Sequence, residues 1–176
     1  MGLTLEDVRS EDNLVLKWAC KNGPLDVVKF LIEMGLTLED IRSDNNLALK
    51  WACENGHLDV VEFLIEMGLT LEDIRSEDNL ALKWACKYGQ LKVVKFLIEL
   101  GLTLEDVRSE NNWALKFACQ NDHLEVVKYL IEVGLTVEDV RCNNNLAMKQ
   151  ACENGSSNVV NYLIKLNRNS ISPIKN

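Results

Sequence analysis

The tripeptide Gly-Leu-Thr starts at Gly2, Gly35, Gly68, Gly101 and Gly134, each 33 residues after the last. The five copies fill residues 2–166 without insertion or deletion and leave Met1 and a tail, 167–176. Strict self-similarity at this period excludes a domain built around one central core. Each copy must be a small unit that buries its apolar surface against its neighbours.

The second unit, Gly35 to Met67, shows what that unit is. In Leu47-Ala48-Leu49-Lys50-Trp51-Ala52-Cys53, the apolar Leu49, Ala52 and Cys53 fall at helical spacing. Gly56 supplies a left-handed cap at the end of this helix. A second helix follows from His57, with Leu58, Val61, Leu64 and Ile65 on one face and Val60, Phe63 and Met67 widening it. Gly68 ends it. The segment between one unit's second helix and the next unit's first also has a pattern. Thr37-Leu38-Glu39-Asp40 reads as a helix N-cap with acids in the first turn, where the helix dipole favours them. It predicts a short helical turn from Thr37 to Arg42, with an extended hairpin as the competing reading.

Composition excludes several function classes. The chain is 47% hydrophobic, too apolar for a disordered segment, yet no run of about 18 uncharged apolar residues exists to span a membrane. The start, Met1-Gly2-Leu3-Thr4-Leu5-Glu6, lacks the basic and apolar regions of a signal peptide, and Glu6 stands where a myristoylation site favours Ser or Thr. The net charge of −8 argues against nucleic acid as a partner, since phosphate contacts need a basic surface. The charge is uneven: the second unit carries a net −5, whereas the third, with Lys83, Lys87, Lys92 and Lys95, is neutral. An acidic partner-facing surface would steer a basic partner, and the alternative is a solvated face that keeps the array dispersed.

A helix-turn-helix unit of this length, with Gly56-His57-Leu58-Asp59-Val60-Val61 opening its second helix and Phe63-Leu64-Ile65-Glu66-Met67-Gly68 closing it, resembles the ankyrin repeat. Ala52-Cys53 sits where that family has a pair of small residues. The resemblance covers residues 2–166 and implies an all-α, ankyrin-like α-solenoid of five repeats (2–34, 35–67, 68–100, 101–133 and 134–166) in a single array. The family's Thr-Pro-Leu-His is replaced by Leu47-Ala48-Leu49-Lys50, so the hydrogen bonds its Thr and His make between repeats are expected to be lost. Arg42 and Asn45 replace the Asp and Gly common at the family's loop tip, which leaves the loop conformation open. The diverged style, with Asn-Asn-Leu-Ala-Leu-Lys and Glu-Asp-Ile-Arg, is similar to ankyrin arrays encoded by giant DNA viruses of amoebae.

The resemblance also implies a non-catalytic protein-interaction scaffold, in which first helices and loop tips line a concave groove for a partner protein. Comparing the five copies identifies columns that hold and columns that vary. The Cys column (Cys20, Cys53, Cys86, Cys119, Cys152) and the aromatic column (Trp18, Trp51, Trp84, Phe117, then Gln150) are expected to be core. The columns that vary most cluster at the end of the first helix. Carried over by position, the groove would use Ser43, Asp44, Asn46, Glu54 and Asn55, and their equivalents Glu77, Asn79, Lys87, Tyr88, Glu110, Asn112, Gln120 and Asn121. Tyr88 is the one aromatic among the variable positions and reads as an interface anchor. Trp113, in a column otherwise Leu, is either packing or a second anchor. Drift at solvated positions is the competing account of the same variation.

No catalytic, metal or cofactor site is expected. Cys53 and His57 lie four apart, as do Cys119 and His123, but Gly56 or Asp122 breaks the helix between them. The two pairs are two repeats apart, too far to share one zinc ion. The recurrent Glu-Asp pairs suit helix caps better than acid–base chemistry. Five of the six cysteines recur once per repeat, farther apart than a disulfide can bridge, and read as small core residues. Cys142, in place of a loop Ser, is the expected exposed thiol. Six free thiols without a signal peptide point to a reducing, intracellular compartment, with the cytoplasm the first choice.

The ends differ. The last unit reads as a cap, with Gln150 in place of Trp and Asn158 and Asn161 in its second helix. The tail is expected to be mostly disordered, folding back through Ile171. The first unit keeps Leu14, Leu16 and Trp18, so its outer face is expected to stay partly apolar. The alternative function is therefore self-association, or an adaptor contact, through this uncapped N-terminal face.

Overall fold

The computed structural model describes residues 4–170, and the regular structure among them is helical throughout. The elements are α1 (Leu5–Asn22), α2 (Leu25–Glu33), α3 (Leu38–Asn55), α4 (Leu58–Glu66), α5 (Leu71–Lys87), α6 (Leu91–Glu99), α7 (Leu104–Val107), α8 (Ser109–Gln120), α9 (Leu124–Val133), α10 (Val137–Glu153) and α11 (Ser157–Ser170). The first helices, α1, α3, α5, α8 and α10, pack one on the next, and so do the second helices, α2, α4, α6, α9 and α11. Each second helix also packs on the first helix of its own repeat. The result is a two-layer, all-α solenoid.

The connecting segments take the helical turn, and the extended hairpin does not form. Thr37 caps the turn, its side chain accepting from the Asp40 N–H while Asp40 accepts from the Thr37 N–H, and Thr4, Thr70, Thr103 and Thr136 do the same. This reciprocal pair satisfies two of the donors a helix start leaves open. Beyond the turn the chain passes through three left-handed residues, Asp44 (φ 49°), Asn45 (φ 55°) and Asn46 (φ 63°), before the main part of α3 begins. The same triplet recurs in every repeat. Its last two positions are Asp or Asn in every repeat, whose short polar side chains tolerate this region best after Gly, while Glu11, Glu77 and Glu110 take the first position in three repeats.

The core follows the solenoid axis. Leu49, Ala52, Cys53, Val60, Val61 and Leu64 of the second repeat are fully buried, as are most of their equivalents. Each repeat has a head face turned to the repeat before it and a foot face turned to the repeat after it. Ala48 and Val60 belong to the head face, because they are buried while the equivalent Val15 and Val27 of the first repeat are exposed. Leu49, Lys50, Cys53 and Val61 belong to the foot face, because, of the equivalents in the last repeat, Lys149 and Cys152 are exposed and Met148 and Val160 only partly buried.

This asymmetry corrects three expectations. Cys152 is exposed, whereas Cys20, Cys53, Cys86 and Cys119 are buried and Cys142 is only half-buried. The thiol column faces the following repeat, and none of the described residues covers Cys152. The aromatic column is not core: Trp18 is exposed, and Trp51, Trp84 and Phe117 are half-buried along the surface. The start of the tail is helical, because Asn167 replaces the Gly that ends the other second helices and α11 runs on to Ser170. Ile171, and the fold-back expected through it, lie outside the described residues, as does Gly2.

Candidate partner-binding face

Ion pairs join the loop tips of successive repeats. Arg42 grips Asp73 with Nε and a terminal nitrogen, both at 2.8 Å, and Arg75–Asp106 and Arg108–Asp139 repeat the fork–fork geometry. Arg9 meets Asp40 less symmetrically, at 2.9–3.3 Å. In Asp106 and Asp139 the Arg hydrogen bonds are the largest influence and outweigh partial burial, and with the Thr caps they lower the carboxyl to about 2. In Asp40 and Asp73 burial is the largest single influence and raises the carboxyl, but the Arg and Thr hydrogen bonds together prevail and hold it below its ordinary value.

A second ladder lies beneath. Lys50 is buried, and its Nζ donates to Glu77 Oε2 at 2.6 Å. Lys17 pairs with Asp44 and Lys83 with Glu110 in the same way. The inter-repeat hydrogen bonds expected to vanish with the family's His are thus replaced by ion pairs from the Lys at that position. A further link comes from the start of the second helix. His57 Nε2 donates to the Lys21 carbonyl of the previous repeat at 3.0 Å, and His123 does so to Lys87 at 2.8 Å. This engages each His with backbone away from its neighbouring thiol. Burial raises the thiols, Cys20 and Cys119 to about 12, and Cys53 and Cys86 likewise upward.

These ladders decide which of the expected groove residues are free. Asp44, Glu77 and Glu110 are exposed at one edge but are committed to the lysines. Asn46, Asn79 and Asn112 are buried in the left-handed turns, where Asn46 Nδ2 donates to the Asp73 carbonyl and Asn112 Nδ2 to the Asp139 carbonyl, each at 3.4 Å. Asn46 and Asn112 thus bridge repeats, and all three side chains are buried away from the surface. Ser43 is half-buried and donates to the Asp12 carbonyl. Asn55 and Asn121 are exposed, but each Nδ2 donates to the carbonyl four residues earlier, closing the end of its own helix. Glu54 and Gln120 are half-exposed at these helix ends.

Tyr88 breaks that last pattern. Asn22, Asn55, Asn121 and Asn154 all make the same helix-end bond, and Tyr88 occupies their column without making it. Its ring is 44% exposed. It joins a surface band in which aromatic rings alternate with lysines. Lys21 Nζ lies over Trp18 and Trp51, 5.3 and 5.0 Å from the ring centres. Lys87 lies over Tyr88 and Phe117 at 5.1 and 5.7 Å, and Lys116 over Trp113 at 3.7 Å. Trp113 packs edge-on against Phe117 with ring centres 4.9 Å apart, so packing and surface display coincide in it. Sequence comparison missed Trp18, Trp51, Trp84, Phe117 and Lys116, because a constant aromatic column reads as core. The signal was the Lys three residues after each of Trp18, Trp84 and Trp113, a spacing that puts both on one helix face.

A family model for ankyrin repeats, covering three copies, matches residues 16–107 and again 82–173, and the chain belongs to the ankyrin-repeat family. No curated protein matches the sequence. Ankyrin repeats are generally protein–protein interaction modules. Among the described residues, no helix is long and apolar enough to cross a membrane.

Proposed function

We propose that this chain is a non-catalytic interaction scaffold that takes a partner protein across the C-terminal ends of its first helices, the positions that line the family's concave groove. The observation that carries the reading is the aromatic–lysine band from Trp18 to Phe117 with Tyr88 in it. Half-exposed Trp and Tyr are the residues most often found as interface anchors. Lysine stems laid over the rings keep the apolar surface covered until a partner displaces them. Glu54, Lys87 and Gln120, which vary from repeat to repeat beside constant rings, would set which partner is chosen. The acids Asp44, Glu77 and Glu110 are neutralised within the ladder, which weakens the case for a basic partner. Six unpaired thiols support a reducing compartment, with the cytoplasm the natural choice.

A pull-down from the native host with wild type, Tyr88→Ala and Glu54→Lys tests this. Loss of partner proteins with either variant is expected, and equal recovery from all three would sink the groove reading.

A second reading is favoured by a separate observation. Val15, Trp18, Val27 and Phe30, four of the exposed large apolar residues, all lie in the first repeat. Contact through this N-terminal face is the alternative mode of assembly.

A further inference from the structure

We infer that the partner segment taken by the band is acidic and aromatic: an extended stretch of protein in which an aromatic residue has Asp or Glu at the second position on either side, seated over Phe117 on the third and fourth repeats. The inference deepens the groove reading above and rests on it.

The band is not uniform. Around Phe117 it condenses into one cluster. Lys87 lies over Tyr88 and Phe117, Lys116 lies over Trp113 and Phe117, and Trp113 meets Phe117 edge-on. Tyr88 is exposed and the other four side chains are half-buried.

Lys116 joins this cluster because the lower ladder breaks there. Lys17, Lys50 and Lys83 are buried against the acid 27 residues on, Asp44, Glu77 and Glu110. The residue 27 positions after Lys116 is the uncharged Asn143. With no acid to draw it inward, Lys116 stays half-buried, and its ammonium lies 3.7 Å from the centre of the Trp113 ring. Trp113 itself replaces the Leu of the other repeats, so the unpaired cation and the extra ring arise in the same repeat.

Among the described residues, neither Lys87 nor Lys116 makes an ion pair. Glu110 is held by Lys83, and Glu153, in the column of Lys87, accepts from Gln150 at 2.8 Å. Two cations without counter-charges therefore flank one ring, in a chain whose net charge is −8. The local sign, not the net one, decides what docks here, and it complements carboxylates. At the other end of the band Lys21 is the one cation over Trp18 and Trp51, and Glu54 takes the column of Lys87. An acidic segment is accordingly placed on the third and fourth repeats.

An ammonium laid on a ring face keeps N–H donors turned away from the ring, where a carboxylate can take them. The ring contact also holds the lysine in place, so less side-chain freedom is lost on binding. The ammoniums of Lys87 and Lys116 stand 5.7 and 5.8 Å from the centre of Phe117. In an extended segment alternate residues share one face, about 6–7 Å apart. A ring set on Phe117, with carboxylates at the second position on either side, matches that spacing. Lys or Arg at those positions would meet Lys87 and Lys116 as like charges.

Titrating the full chain with two synthetic peptides while following tryptophan fluorescence tests this. The first is Ser-Glu-Ser-Phe-Ser-Glu-Ser, and the second has Lys for both Glu. The acidic peptide is expected to bind and change the emission of Trp113, and the lysine peptide to bind at least about tenfold more weakly. Ala for the peptide's Phe should weaken binding about tenfold. Lys87→Glu and Lys116→Glu each weaken the acidic peptide on the order of tenfold, and the double variant reverses the preference in favour of the lysine peptide, a gain that misfolding does not produce. Lys92→Glu, the same charge change at an exposed position on α6, leaves the affinity unchanged. Equal affinity for the two peptides, no binding of the acidic one up to millimolar concentration, or a double variant that still prefers it overturns the inference. A lysine peptide that wild type binds more tightly, and that Tyr88→Ala releases, overturns the acidic partner and leaves the groove standing. The groove reading itself fails separately, by equal recovery in the pull-down.

Discussion

Lys50 and Glu77 are 27 residues apart in sequence, and their side chains meet at 2.6 Å across a repeat junction. Lys50 is 2% exposed, while the Glu77 side chain is 45% exposed. The pair is lopsided: the cation has been taken out of water and the anion has not. Glu77 is held below its ordinary carboxyl range, first by the hydrogen bond from Lys50 and then by that from Asn45.

That asymmetry predicts unequal costs. Glu77→Gln leaves a buried ammonium without its counter-charge and is expected to destabilise by about 1–2 kcal/mol, less than for a fully buried pair because solvent screens Glu77. Lys50→Met removes the buried charge, keeps the stem's packing and leaves Glu77 free to hydrate. Its cost is expected within about 1 kcal/mol. Urea unfolding midpoints of the two variants decide the order, and an equal or reversed ranking would contradict the lopsided burial.

Acid should loosen the junctions in a defined window. Asp106 and Asp139 sit at about 2, lowered from an ordinary 3.8 mainly by Arg75 and Arg108. A carboxyl lower in the folded than in the unfolded chain stabilises fully above the unfolded value, and the gain is lost as pH falls through the folded one. Stability is therefore expected to drop between about pH 4 and pH 2. Arg75→Gln should flatten that slope, because Asp106 then titrates nearer its unfolded value. Urea midpoints measured along a pH series check both statements.

Thiol labelling should separate three classes. Cys152 is exposed and is expected to react first with Ellman's reagent in native buffer, followed by half-buried Cys142. Cys20, Cys53, Cys86 and Cys119 are buried and poorly ionised, and should react only on unfolding. Fast reaction at Cys53 would reopen a chemical role for its neighbourhood.

Two glycines isolate the contribution of the following repeat. Gly56 and Gly155 share a left-handed backbone, φ 75° and 73°. A Cβ on Gly56 would collide with the Gln90 side chain, which donates to the Glu54 carbonyl at 3.0 Å. A Cβ on Gly155 would meet nothing within 4 Å. Gly155→Ala is expected to cost about 1 kcal/mol for the backbone alone, and Gly56→Ala about 2–3 kcal/mol because the Gln90 bond is also disturbed. Thermal unfolding of the two variants provides the comparison.

Much of this protein was legible from its residues. The period of 33, the apolar spacing of Leu49, Ala52 and Cys53, the Thr37–Asp40 cap and the left-handed Gly56 follow from local geometry that each copy states alike. What the residues did not reveal is where each column faces. Cys152 and Cys53 are the same letter at the same register, yet one is exposed and the other buried, because burial belongs to the next repeat and not to the residue. Trp51 reads as core and lies at the surface under Lys21, and Asn46 reads as surface and is buried in a junction. The repeat, its helices and its caps could be read from the residues because they depend on neighbours a few positions away. Which Lys finds which acid and which rings form the band depend instead on the stacking of units a full repeat apart, and appear only in the folded array.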